Sequence, residues 1–184
     1  MVFLILLLFM GCLVGGVRLW KKRRILSLLL FSPLLITTIV VGYILYQMNY
    51  HTNPNSLNLS VHKEKETYIV KGKWEEPLDA YRFQTDFIVF YVPKNVKLSE
   101  VKRERVKDYK EMDWTFLKGE VNEAIKVKSY SKWKPQIIDL RTKKQFEFTF
   151  ELPKNIKEND IKVYYVHARE EPMDPLEFWF KKIK

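Results

Sequence analysis

The chain has 184 residues, with 32 Lys and Arg against 22 Asp and Glu, a formal charge of +10 and a single cysteine. Five of the cations fall between residues 18 and 24, leaving 27 against all 22 acids elsewhere. So small and dispersed an excess excludes a nucleic-acid footprint and fits solubility with attraction to anionic lipid or surface polymer. The lone thiol, Cys12, sits inside an apolar run. That excludes a disulfide framework and a cysteine nucleophile, and it favours a bacterial envelope over an animal cell surface.

No Asp or Glu occurs before Glu64. Within this acid-free stretch two apolar runs, 2–19 and 25–48, flank Arg18, Lys21, Lys22, Arg23 and Arg24. A bilayer core takes about 20 apolar helical residues to cross, and Lys and Arg stay on the cytoplasmic side. The sequence therefore predicts a transmembrane helical hairpin: a first span 2–19, a cytoplasmic loop 20–24 and a second span 25–48. Both termini are then extracytoplasmic in a two-pass cell-membrane protein. The alternative is a cleaved first run, since Phe9-Met10-Gly11-Cys12 has the look of a lipoprotein site. Against it, no basic residue precedes the run and the residues after Cys12 stay apolar.

Gly11 and Gly15 form a G-x-x-x-G pair, the spacing at which helices approach closely in lipid. They are expected to pack on the second span or to dock another membrane protein. Pro33 is expected to kink the second span, with Ser32, Thr37 and Thr38 near enough to offset the lost hydrogen bond. Trp20, Tyr43, Tyr46 and Tyr50 lie where interfacial anchors belong.

Residues 49–56 are polar and turn-rich, a linker. From 57 to 184 the hydrophobic period becomes two: Leu57, Leu59 and Val61; Tyr68, Val70 and Trp74; a long run from Tyr81 to Val92; Trp114 with Phe116; Ile125 with Val127; Ile137 to Leu140; Phe146, Phe148, Phe150 and Leu152; Ile161 to His167; Leu176 to Phe180. Short aromatic and β-branched strands between turn clusters predict an all-β sandwich. Only Leu98 to Glu111 and Glu120 to Glu123 allow a helical turn, read as an exposed excursion.

Two turns are echoed. Val92-Pro93-Lys94-Asn95-Val96-Lys97 returns as Leu152-Pro153-Lys154-Asn155-Ile156-Lys157, and Glu75-Glu76-Pro77-Leu78-Asp79 returns as Glu170-Glu171-Pro172-Met173-Asp174. With strands at 57–62, 67–74, 81–92, 145–152, 161–168 and 176–182, the pattern resembles the immunoglobulin and fibronectin type III sandwiches. That resemblance implies that both acidic-Pro loops share one end and both Pro-Lys-Asn loops the other. It also makes Tyr164 a candidate tyrosine corner.

If the acidic loops meet, Glu75, Glu76, Asp79, Glu170, Glu171 and Asp174 share an apex. That apex would be a cation or basic-partner site, since Ca²⁺ takes six to eight oxygens; otherwise each loop is a solvated turn. The basic stretch Lys102, Arg103, Arg105, Lys107 and Lys110, interleaved with Glu104, Asp108 and Glu111, reads as a salt-bridge-laced face or a patch for lipid headgroups or wall polymer. Trp133, between Lys132 and Lys134, is a rim residue or a stacking surface. His51, His62 and His167 lack metal-ligand spacing, and His167 in an alternating strand is expected to be structural.

No G-x-S-x-G elbow, H-E-x-x-H pair or Gly-rich phosphate loop is present. The expectation is a non-catalytic interaction module of the envelope, with no cofactor. Its partners would be the bilayer and either another envelope protein or an anionic surface polymer. The competing expectation is an accessory or regulatory subunit acting through its membrane helices.

Overall fold

The computed structural model describes residues 2–83, 85–93, 98, 101–106, 114–126, 133–152, 156, 160–170 and 176–183. Glu171, Asp174, Lys107, Lys110, Val127 and the Pro-Lys-Asn turns at 94–97 and 153–155 lie outside the described residues. The chain divides into two compact units, Met1–Tyr50 and His51–Lys184.

The first unit holds α1 (Val2–Leu19) and α2 (Arg24–Asn49). Among the described residues, α2 is long and apolar enough to cross a bilayer, and Leu7–Leu19 is a shorter apolar helix. The two helices pack on each other. A Cβ added at Gly15 would meet Leu30 at 3.3 Å, and one at Gly16 would meet the Phe31 ring at 2.7 Å. The buried Ser27 donates through Oγ to the Gly16 carbonyl at 2.6 Å. The close approach therefore runs through Gly15 and Gly16, while nothing lies within 4 Å of a Cβ at Gly11. At Pro33 the missing N–H leaves the Leu29 carbonyl without its helical donor. Ser32 Oγ donates to that carbonyl at 2.8 Å. Thr37 and Thr38 return their hydroxyls to the carbonyls four residues back, Pro33 and Leu34.

Among the described residues the second unit forms two antiparallel sheets of four strands each. One has the order β1 (Leu57–Glu64), β2 (Thr67–Trp74), β6 (Gln145–Glu151), β4 (Lys102–Arg103); the other β5 (Trp133–Arg141), β3 (Thr85–Pro93), β7 (Lys162–Glu170), β8 (Leu176–Lys182). The β1–β2 turn closes with Lys65 in the left-handed region at φ 57°. Register places Gly72 opposite Phe146. The ring occupies the space a Cβ would need, at 2.1 Å, so this position takes glycine because an aromatic lies across it. Pro135 is tolerated because β5 is an edge strand, where a missing donor costs no ladder bond.

Two apolar layers result. Between the sheets lie Leu57, Tyr68, Val70, Trp74, Ile88, Phe90, Phe148, Phe150, Val163 and Tyr165. The other face of the second sheet is covered by a helix, α3 (Trp114–Lys126), whose Leu117, Val121 and Ile125 pack on Phe87, Val89, Tyr91, Val166 and Ala168. The strands expected around Trp114 with Phe116 and at Ile125 are therefore corrected to one helix, so the unit is not purely β. Leu117, Val121 and Ile125 recur every four residues, the spacing of one helical face. The helix also explains why β3 has no polar face: it is buried on both sides over eight successive residues.

Candidate functional site

The β2–β3 connection runs beside the end of β7. Phe83 N donates to the Ala168 carbonyl at 3.2 Å and Glu170 N to that of Tyr81 at 3.0 Å; Arg82 and Arg169 form an isolated bridge. The first acidic turn therefore meets the strand that leads into the second. Its carboxylates nevertheless diverge. Glu75 accepts from Asn58 Nδ2 at 2.6 Å on the exposed surface, Glu76 is exposed, and Glu170 ends β7. Asp79 turns inward, only 1% exposed. Among the described residues no group of three or more His, Cys, Asp or Glu side chains is placed to hold a metal ion.

What Asp79 joins is a buried ionic chain. Its Oδ2 lies 3.3 Å from His167 Nε2, and His167 Nδ1 lies 2.8 Å from Asp86 Oδ1. Asp86 also accepts from the Tyr165 hydroxyl and from Ala168 N. Arg169 Nη1 stands 3.9 Å from Asp79 Oδ2. The rings of Trp74 and Trp179 pack against His167 with centroids 5.5 and 5.2 Å away. Two carboxylates and two cationic side chains thus balance in the interior, as buried charge requires.

Titration follows from this geometry. Burial opposes the charged imidazole, but the field of Asp86 and the hydrogen bonds with Asp79 and Asp86 outweigh it and lift His167 to about 9. Burial likewise opposes the Asp79 carboxylate, but His167 and Thr52 outweigh it and bring Asp79 down to about 2. Burial, reinforced by the charge of Asp86, pushes Tyr165 well above the usual phenol range. With a carboxylate at each ring nitrogen, His167 is held as an imidazolium. In that state both ring nitrogens donate, one to each aspartate.

This ionic chain also holds the linker. Thr52 donates to Asp79 Oδ2 through both its N–H, at 3.2 Å, and its hydroxyl, at 2.6 Å, and accepts from Asp79 N at 2.8 Å. Asn53 caps the short 3-10 turn Pro54–Ser56. Lys181 Nζ donates to the carbonyls of Pro54 and Leu57 at 2.9 and 2.5 Å. The segment that reads as a loose polar linker is fastened from Thr52 onward.

A second charged centre secures the basic stretch. Arg103 grips the buried Asp139 through Nε to its carbonyl and Nη2 to Oδ1, both at 2.5 Å. Arg105 Nε reaches Asp139 Oδ2 at 2.9 Å. Glu104 accepts from Arg141 at 3.0 Å and Lys143 at 2.6 Å, and those donors, Lys143 first, hold its carboxyl below the usual range. The salt-bridge lacing expected here is present, but its partners are on β5 and the β5–β6 turn.

A shallow groove of about 620 Å³ with mixed polar and apolar lining crosses the first sheet, bordered by Leu59, Lys71, Lys73, Glu104, Lys143, Phe146 and Glu147 among others. Lys71 and Glu147 are 3.4 Å apart there, both half exposed. Of the remaining residues singled out above, His51 lies 3.5 Å from Glu177 on the surface and His62 is exposed. Lys162 stands over the Trp133 ring at 4.6 Å. Tyr164 packs edge-on to Tyr91, 5.7 Å between centroids, in the layer under α3; the buried tyrosine with its hydroxyl on a strand partner is its neighbour Tyr165. The five cations clustered at 18–24 are exposed, with Arg18 in the last turn of α1 and Arg24 opening α2. Comparison with protein-family models and with curated proteins finds no match.

Proposed function

We propose that this chain is a two-pass membrane protein of a bacterial envelope. In this reading spans 2–19 and 25–48 anchor an immunoglobulin-like sandwich on the extracytoplasmic side, where it acts as a non-catalytic interaction module. The observation that carries the membrane reading is α2: 26 residues with mean hydropathy 2.4 in its most apolar window, and only 6% of that window buried. A helix that apolar and that uncovered needs lipid or another protein around it. The cluster at 18–24 supports a cytoplasmic turn. The sheet orders β1-β2-β6 and β3-β7-β8 support the immunoglobulin-like reading, since they match the A-B-E and C-F-G arrangement. One departure is that β4 precedes β5 in the chain. The lysine-bearing groove on the first sheet is the surface we assign to an anionic polymer or a partner protein.

Protease added to intact protoplasts tests the topology: the sandwich should be cut while the 18–24 turn survives until lysis. Protection of the sandwich would overturn it. The second reading, an accessory subunit acting through its membrane helices, is favoured by the open surface at Gly11. Replacing residues 1–49 by an unrelated two-span anchor separates the two: retained function belongs to the sandwich, lost function to the helices.

A further inference from the structure

We infer that the α1–α2 turn is a binding site for an anionic phospholipid; this rests on the membrane reading above. The turn borders an open recess of about 610 Å³ lined by Val17, Arg18, Trp20, Lys21, Lys22 and Phe31. Its lining has two characters. Val17, Trp20 and Phe31 offer apolar surface, the two rings lying 6.3 Å apart. Arg18, Lys21 and Lys22 put three exposed cations beside it. Phe31 is held at this recess because its ring sits over Gly16, where any Cβ would collide with it.

The charge here is uncompensated by the neighbouring sequence, since no acid precedes Glu64. Arg23 and Arg24 follow directly, and α2 begins with neither an acidic residue in its first turn nor a capping side chain. The positive end of the helix thus adds to the cations rather than relieving them. A soluble anion would satisfy the charge but leave the indole and phenyl faces unused. A lipid with a phosphodiester headgroup satisfies both: phosphate oxygens on the cations, upper acyl chain against Val17, Trp20 and Phe31. Recesses of this mixed lining between spans on the cytoplasmic side suit anionic headgroups.

The test uses the full chain in bilayer nanodiscs made from equal parts phosphatidylglycerol and phosphatidylcholine, counting the lipids retained after detergent exchange. Phosphatidylglycerol should be enriched about fivefold over the bulk ratio, the scale set by one basic contact near a charged surface. Lys21→Gln with Lys22→Gln should abolish the enrichment. Trp20→Ala, which keeps every charge, should lower it severalfold. Undiminished enrichment in Trp20→Ala would reduce the site to diffuse attraction and overturn it, as would displacement by inorganic phosphate. A membrane-inserted chain with lipids at the bulk ratio refutes the site alone. A chain extracted from membranes by alkaline carbonate refutes the membrane reading itself.

Discussion

The sandwich contains two buried aspartate centres that solve the same problem with different cations. Asp79 and Asp86 are balanced chiefly by His167, and Asp139 by Arg103 and Arg105. The first is sealed, with His167, Asp79 and Asp86 each at 1% side-chain exposure or less; the second opens to solvent through Arg105, 56% exposed. A guanidinium stays charged at any pH a protein meets, whereas an imidazolium does not. The histidine centre therefore ties the fold to alkaline pH through its cation, and the arginine cations do not.

The largest effect should come from breaking the sealed centre. Asp79→Ala leaves His167 and Arg169 short of a counter-charge and frees Thr52. Removing one partner of a buried ion pair costs about 3–5 kcal/mol, read as a lower urea midpoint of the full chain in micelles by tryptophan emission. A loss as small as a surface mutation's would mean the centre is not closed. The second effect is on pH. His167 is raised from 6.5 to about 9 on folding, so its contribution is complete below pH 6.5 and is lost as pH climbs through about 9. Its full size is on the order of 3 kcal/mol. Asp79 is lowered from 3.8 to about 2, so its share is complete above pH 3.8 and lost as pH falls through about 2. Stability should thus fall between pH 6.5 and 9 in the native chain, and His167→Gln should flatten that fall.

Asp139→Asn should cost less, about 2 kcal/mol, the scale of hydrogen bonds to charged groups, and should leave the alkaline slope unchanged. A changed slope would show that the two centres are coupled. Smallest of all, Glu104→Gln should produce a slight, salt-sensitive loss, because exposed ion pairs contribute little.

The alternation at Phe146, Phe148 and Phe150 announced a half-buried strand, and β6 is one. The polar-to-apolar switch after residue 56 announced the start of the sandwich. The helix on the second sheet was less legible, because Trp114 with Phe116 mimics one strand repeat and the i, i+4, i+8 series of Leu117, Val121 and Ile125 is sparse. The unbroken apolar run of β3 did carry the signal: a strand with no polar face needs cover on both sides. The acidic turns could be paired on paper, but nothing local told Asp79 from Glu75 and Glu76. The distinction is made by Asp86 and His167, 81 positions apart in the chain and adjacent only once β3 and β7 are paired. A lone carboxylate at the head of an apolar run, as at Asp86, and another inside Ile137-Ile138-Asp139-Leu140, were the available clues to buried charge.

Only Tyr50 and His51 stand between the end of α2 and Thr52, a slack of about 7 Å at full stretch. A pull travelling along the chain from the helix is therefore met almost at once by the Asp79 latch, before it can peel the edge strand β1 from its neighbour. Tension applied through this segment would thus load the His51–Glu177 pair and then the interior ions at Asp79 before it reached β1.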